Sequence, residues 1–174
     1  MHFINPFKGL RPVEDKASSV SIPSTDQLSA KVITNHKKNN PWSYLNIFNP
    51  DSEKLKSQNE IDADAKKQFE LMKNKSVLMK DGTNSFYIYR ISTKDHSQVG
   101  IIGTAKLSAY DNLHIRGHEE IYFERSQKRF DQINNLNAQI GPIYVIHPDD
   151  KNLAELVEKQ IVPKPAYSFN ALDE

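Results

Sequence analysis

Hydrophobic and polar positions change period along this chain, and the changes mark its elements. From about Glu53 to Lys73, Ile61, Ala65, Phe69 and Met72 recur at helical spacing, with Lys, Gln and Asp on the opposite face. That pattern predicts an amphipathic helix with a solvated outer side. Beyond Thr83 the pattern turns to aromatic and β-branched residues, and Ser85 to Ile91 predicts the clearest strand. The polar run Thr93 to Ser97 turns the chain back into Gln98–Leu107, an antiparallel hairpin with more than the tightest loop. A second helix is predicted over Glu119 to Asn137, with Phe123, Phe130, Ile133 and Asn137 along one stripe and Gly141-Pro142 ending it. Ile143 to Ile146 predicts a buried strand. Asp149 or Asp150 then caps a last helix with Leu153, Leu156, Val157 and Gln160 facing inward.

The N-terminal third is more broken. Residues 1–24 predict an extended arm punctuated by proline, which fixes φ and removes a donor. Thr25 or Asp26 is placed to cap a short helix through about Asn35, with Leu28 and Val32 on one face, before Asn39-Asn40-Pro41 breaks it. Tyr44 to Phe48 predicts a short strand closed by Asn49-Pro50, and Val77 to Met79 another before the turn Asp81-Gly82. Val162-Pro163-Lys164-Pro165 ends the last helix, leaving residues 166–174 as a fraying tail. Interleaved helices and strands around an antiparallel hairpin predict an α+β fold. The expected organisation is a single domain over residues 1–165 with a mixed, largely antiparallel sheet flanked by helices.

Composition narrows the function classes. The chain has 174 residues, 37% of them hydrophobic, and a mean hydropathy of −0.66, which suggests generous loops around one modest core. With 23 basic and 22 acidic residues the net charge is +1, so no global field favours nucleic acid or an anionic membrane. No cysteine is present, which excludes disulfides and thiolate chemistry. Apolar runs such as Val99 to Gly103 are too short to span a bilayer, and the start lacks a signal-peptide pattern. A cytoplasmic protein is the expectation.

The candidate chemistry begins in the arm. Asn5-Pro6-Phe7-Lys8-Gly9-Leu10-Arg11-Pro12 holds two cations around a glycine in a segment that suits a rigid loop. Lys8 and Arg11 there suit an anion. The competing reading packs Phe3, Ile4, Phe7 and Leu10 on the core and leaves both cations in water. Far along the chain stands His118-Glu119. It fails the zinc-protease pattern, because the required second histidine position is Tyr122. His114 and His118 have i, i+4 spacing and Glu119 adds an oxygen, but no third histidine is near, so no metal is assigned. His118 with Glu119 or Glu120 suits general acid–base work, against the alternative of polar residues at a helix start. Gly100 and Gly103 lack the lysine and hydroxyl residue of a phosphate loop and read as close packing or a bulge. Arg125, Lys128 and Arg129 line one helix region. Trp42, Tyr44, Tyr87 and Tyr89 can stack bases, but no basic stripe accompanies them, and core and cross-strand packing is the preferred reading.

Several ordered segments together resemble one bacterial and archaeal family, domain-of-unknown-function family 1015. They are Pro6 to Pro12, Asn40-Pro41-Trp42-Ser43-Tyr44-Leu45 with Asn49-Pro50, Ser85 to Arg90, Gly100 to Gly103, Ala109-Tyr110-Asp111 with Ile115 to Glu119, and Asn137 to Ile143. The resemblance runs from about Ile4 to Ile161. It departs at Ser24-Thr25, at Ile121 where the family has threonine, and at Glu124 to Arg129, where a family Asp-Arg is blurred. It also lacks the Asp-Gly-His-His-Arg segment of the family's second half, which is similar to one in free-serine kinases of the ParB/sulfiredoxin-like group. The resemblance therefore implies a truncated or divergent relative of a nucleotide-dependent, serine-like small-molecule kinase. His118 and Glu119 would be its catalytic residues, and Lys8, Gly9, Arg11 and Arg116 its phosphate-binding residues. The implied cofactor is ATP or ADP with Mg, and the implied ligand a nucleotide or small molecule. The chain alone is expected to turn over little or nothing. The alternatives are a non-catalytic interaction module, or one half of a two-chain kinase whose partner supplies the missing C-terminal half.

Overall fold

The computed structural model describes residues 4–22, 28–48, 57–118 and 120–170. In chain order the elements are β1 (Ile4–Asn5), β2 (Leu10–Pro12), α1 (Ala17–Val20), α2 (Ala30–Asn39), α3 (Leu45–Phe48), α4 (Gln58–Asn74), β3 (Leu78–Lys80), β4 (Tyr87–Ser92), β5 (Ser97–Ile102), β6 (Thr104–Ala105), α5 (Leu107–Asp111), α6 (Phe123–Leu136) and α7 (Lys151–Ile161). The fold is α+β, as the alternating periods predict. Among the described residues its strands form three two-stranded pairs, β1–β6, β2–β3 and β4–β5, rather than one continuous sheet. Within this domain the chain gathers into two compact units, each woven from separate stretches. One holds Met1–Leu10, Lys80–Glu120 and Tyr144–Pro165; the other holds Arg11–Met79, Ile121–Ile143 and Ala166–Glu174.

The second of these units is organised by α4. Ser57 caps it reciprocally: its hydroxyl accepts from the Glu60 N–H at 3.3 Å, and the Glu60 carboxylate accepts from the Ser57 N–H at 2.9 Å. The predicted stripe is real, and Ala65, Phe69 and Met72 are buried with Val20, Ile47, Val77 and Leu136. Each large side chain so buried contributes about 1.5–3 kcal/mol. α3 and α6 both pack on α4. Polar side chains fasten the ends: Gln132 Nε2 donates to the Phe48 carbonyl at 3.2 Å, and Asn135 Nδ2 to that of Asp62 at 2.7 Å.

Several expectations are corrected here. Tyr44 to Phe48 is helical rather than extended, because the Ile47 and Phe48 N–H groups both return to the Tyr44 carbonyl at 3.0 Å. A five-residue run, four of its residues apolar, carries too few positions to separate the two periods. α2 starts later than predicted, capped by the Ser29 hydroxyl accepting from the Val32 N–H at 3.4 Å. The expected caps Thr25 and Asp26 lie outside the described residues, as do residues 53–56 and 49–50. α6 begins at Phe123, and its predicted stripe is only partly covered: Phe123 and Phe130 are 78% and 58% exposed, Ile133 is half-buried, and the buried residue is Leu136. Ile143 to Ile146 forms no strand among the described residues, and Ile143 and Ile146 are 75% and 79% exposed.

The other unit is built on the β4–β5 hairpin, in register from Tyr87 opposite Ile102 to Ser92 opposite Ser97. Its loop is closed by the Thr93 N–H donating to the His96 carbonyl at 2.7 Å. β6 pairs back with β1, setting Ile4 against Ala105 and Asn5 against Thr104. Gly103 makes this turn possible: a Cβ there would meet the Phe86 ring at 3.0 Å and the Asn5 carbonyl at 3.1 Å. Close packing is therefore right for Gly103. It is wrong for Gly100, where a Cβ would meet nothing within 4 Å. α7 starts where predicted, the Asp150 carboxylate accepting from the N–H groups of Asn152 and Leu153 at 2.9 and 3.1 Å.

Among the described residues three helices end in the same way, and none of the three does so with glycine. Ser76, Leu113 and Asn137 adopt φ of 54°, 58° and 49°. Each lets the following N–H reach back five residues: Val77 to the Met72 carbonyl at 2.9 Å, His114 to Ala109 at 2.9 Å, and Ala138 to Ile133 at 3.3 Å. This is the Schellman arrangement, which satisfies carbonyls left over at a helix end.

Candidate functional site

The arm is fixed by neighbours from the hairpin side of the chain. Phe7 and Ser85 exchange backbone hydrogen bonds of 3.1 and 3.0 Å, and the Asp81 N–H donates to the Gly9 carbonyl at 2.9 Å. Tyr87, on β4, inserts its hydroxyl at the centre. It accepts from the Gly9 N–H at 2.7 Å and donates to the Asp81 carboxylate at 2.6 Å, with the Phe7 carbonyl at 3.3 Å. Its ring also meets the Phe7 ring edge-on, with centroids 5.2 Å apart. The Gly9 amide is thus taken up by Tyr87. What Gly9 supplies is close approach, since a Cβ would lie 2.7 Å from the Tyr87 oxygen. Gly9 is buried, while Lys8 beside it is exposed. The result is a cation carried on a backbone that cannot move freely.

Arg11 has a different environment. Its Nη1 donates to the Tyr167 hydroxyl, its guanidinium lies 5.5 Å from the centre of that ring, and the Tyr167 hydroxyl donates in turn to the Pro12 carbonyl. The segment expected to fray is therefore tied down at Tyr167. Arg116 is held on its own turn rather than on the arm, its Nε donating to the Leu113 carbonyl at 3.2 Å. His118 is exposed on the stretch between α5 and α6, not at a helix start. Glu119 lies outside the described residues. Among the described residues no three His, Asp or Glu side chains converge into a metal-holding group.

The remaining candidates are absorbed by packing. Trp42 and Tyr44 pack against the buried core. Tyr44 donates to the Ile140 carbonyl and stacks on Phe48 at 5.8 Å. Burial pushes the Tyr44 hydroxyl up to about 12, against a smaller opposing pull from the Arg129 charge. Arg129 lies 4.7 Å from the Phe48 ring centre and donates to Gln132 at 2.9 Å, and Arg125 lies over Tyr122 at 5.3 Å. Two of the three α6 cations thus rest on aromatic faces. Tyr89 alone of the four aromatics is largely exposed, at 57%. The sequence reading missed Tyr87, Asp81 and Tyr167 as the groups that fix the arm. Nothing local marks them, because each acts on a segment far away in the chain.

No helix among the described residues is long and apolar enough to cross a membrane. No curated protein and no solved structure matches the chain. A family profile does, over residues 4–174, and the chain belongs to that family, whose description is protein of unknown function (DUF1015).

Proposed function

We propose that this chain binds a phosphate-bearing small molecule, a nucleotide such as ATP or ADP, through the cations of its N-terminal arm. In this reading it is a divergent relative of a nucleotide-dependent kinase for a serine-like substrate, with little or no turnover alone. The observation that supports it is the Tyr87 knot, which immobilises the backbone around Gly9 and leaves the Lys8 side chain exposed. A preorganised cation loses less freedom when it meets an anion than one on a loose segment. Phosphoryl transfer needs mainly positioning and charge stabilisation, so such an anchor is the part worth building rigidly. Lys8 would hold a phosphate, with Arg116 a candidate for added charge and Arg11 a separate candidate cation, and His118 and Glu119 would be the candidate catalytic residues. A Mg ion accompanying the nucleotide would rest chiefly on the nucleotide's own phosphates, as Mg commonly does.

Titrating the chain with ADP and ATP tests this. Lys8→Ala should weaken binding by the loss of a charge-assisted contact, about 1.5–3 kcal/mol. Equal affinity in the wild type and the variant would return Lys8 to the solvated surface. Incubation with serine and either nucleotide, followed by mass spectrometry, should give no phosphoserine; product that vanishes in His118→Ala would overturn the low-turnover part. A second reading, an interaction module, is favoured by the hairpin. Tyr89 and Ile91 are 57% and 55% exposed on one of its faces, an unusual load for solvent-facing strands. An absence of nucleotide binding would favour that reading.

A further inference from the structure

We propose that this chain pairs with a second copy of itself by strand exchange, residues 143–146 of one copy adding to the outer edge of β5 in the other. No residue of the arm takes part, so the inference stands apart from the phosphate-binding reading. The chain carries both halves of such a contact. The first is a strand without a sheet. Ile143, Tyr144, Val145 and Ile146 are all β-branched or aromatic, and Pro142 and Pro148 bracket them. All four are more than half exposed, and no backbone hydrogen bond among the described residues joins them to anything. An extended segment that is apolar on both of its faces has the composition of a strand covered from two sides.

The second half is an edge without a strand. Among the described residues β5 pairs with β4 alone. The bond from the Thr93 N–H to the His96 carbonyl sets the alternation of the hairpin, so Gln98 and Gly100 direct their backbone groups at Ile91 and Tyr89. Ser97, Val99 and Ile101 then direct theirs outward, where no described backbone group meets them. Proteins usually guard such an edge with lysine, proline or a bulge. β5 has no charge, no proline and an unbroken register, whereas β4 carries Arg90, which makes β5 the receiving side. Within one copy the segment touches the hairpin through the Gln98 side chain, whose Nε2 donates to the Tyr144 hydroxyl, and the backbone edge stays unused. Area decides between a second copy and a single added peptide. Each of these side chains covers about 100 Å² when fully buried, so one junction hides on the order of 600 Å² over its two sides. That is too little for a specific complex. Exchange in both directions closes a two-fold dimer with two junctions, on the order of 1,200 Å², where specific interfaces begin.

The test is the mass of the full chain by analytical ultracentrifugation over roughly 1–300 μM, the range suited to an interface of this size. The mass should rise with concentration from 19.9 kDa toward twice that value. Val99→Pro removes an outward N–H that β4 does not use, and Ile146→Lys puts a charge into the donor strand. Each change strikes both junctions, so each should weaken dimerisation about tenfold or more, with little change in melting temperature. Amide hydrogen exchange on the wild type, which needs no variant, should show residues 144–146 protected in the dimer and open in the monomer. If Val99→Pro lowers the melting temperature, Ile146→Lys and the exchange pattern decide. A monomer at every concentration would overturn the proposal, and protected 144–146 amides in it would mean that the segment closes on its own hairpin. A dimer unchanged by both variants, or one whose 144–146 amides stay open, would overturn it by placing the interface elsewhere.

Discussion

Replacing Gly9 by alanine puts a methyl group where the Tyr87 hydroxyl already sits. The added carbon would lie 2.7 Å from the Tyr87 oxygen, 2.8 Å from Cζ and 3.3 Å from Cε2, whereas favourable carbon contacts lie near 3.5–4.0 Å. Backbone strain does not enter, since no glycine here has positive φ. The tyrosine cannot retreat without cost, because the Asp81 carboxylate holds its hydroxyl at 2.6 Å and Phe7 flanks its ring. Relief by about 0.7 Å or more breaks the bond from the buried Gly9 N–H, leaving a donor unsatisfied at about 1–3 kcal/mol. Overpacking that is not relieved costs a similar about 1–3 kcal/mol. Whichever way the clash is resolved, Gly9→Ala should therefore destabilise the protein by about 1–3 kcal/mol, read as a shift of the urea midpoint at constant slope. The cycle with Tyr87→Leu identifies the cause. Leucine removes the ring end that the methyl meets, so Gly9→Ala should cost at least about 1 kcal/mol less in that background. A cost within 0.5 kcal/mol of zero in the wild type, or the same cost in both backgrounds, would refute the argument that Tyr87 is what requires glycine at this position.

Two further predictions concern helix ends and a buried hydroxyl. Leu113→Gly and Ser76→Gly should each stabilise the protein by about 0.5–1 kcal/mol, the left-handed penalty of a side chain less the extra entropy of glycine. Asn137→Gly should change little, because asparagine tolerates that conformation; urea denaturation of the three variants checks the order, and destabilisation at the exposed Leu113 would sink it. Tyr44 has its hydroxyl raised from 10.0 to about 12 in the folded state, so the folded protein binds more protons than the unfolded one between those values. Its contribution is intact below pH 10 and declines as pH rises toward 12. Tyr44→Phe should flatten that decline relative to the wild type in melting temperatures taken across this window, and parallel curves would refute the assignment.

The parts of the fold legible in the sequence are those where one period persists. α4 spans Gln58–Asn74, long enough for Ala65, Phe69 and Met72 to declare a buried face, and even its Ser57…Glu60 cap is written locally. β4 and β5 carry six residues each and a polar loop between them. Tyr44 to Phe48 was illegible for the opposite reason: five residues, four of them apolar, fit a strand or a helical turn equally, and the choice fell to packing of Leu45 and Ile47. The α6 stripe failed because an amphipathic count finds a face without finding its partner. Phe123 and Phe130 form a good stripe that nothing among the described residues covers, while Leu136 alone is buried. Helix ends were missed where residues other than glycine took the left-handed cap.

The candidate site shows a different limit. Lys8 and Arg11 were visible as a pair, yet the structure gives them separate surroundings, each set by a tyrosine. Tyr87 reaches Gly9 across 78 positions and Tyr167 reaches Arg11 across 156. A tyrosine in sequence reads as apolar area, since its ring dominates any periodicity score, whereas here the hydroxyl decides where the chain goes. Tyr44 donates to the Ile140 carbonyl and Tyr167 to that of Pro12, and the Tyr87 hydroxyl lies within hydrogen-bond reach of the Phe7 carbonyl. All three carbonyls belong to proline-rich or glycine-flanked segments, where a buried backbone acceptor needs a partner and a side chain can supply or supplement it. The aromatic hydroxyls supply those partners and carry apolar area to the same spot. The arm around Lys8 is thus rigid without being regular, which is the condition under which a loop can present a cation in one place.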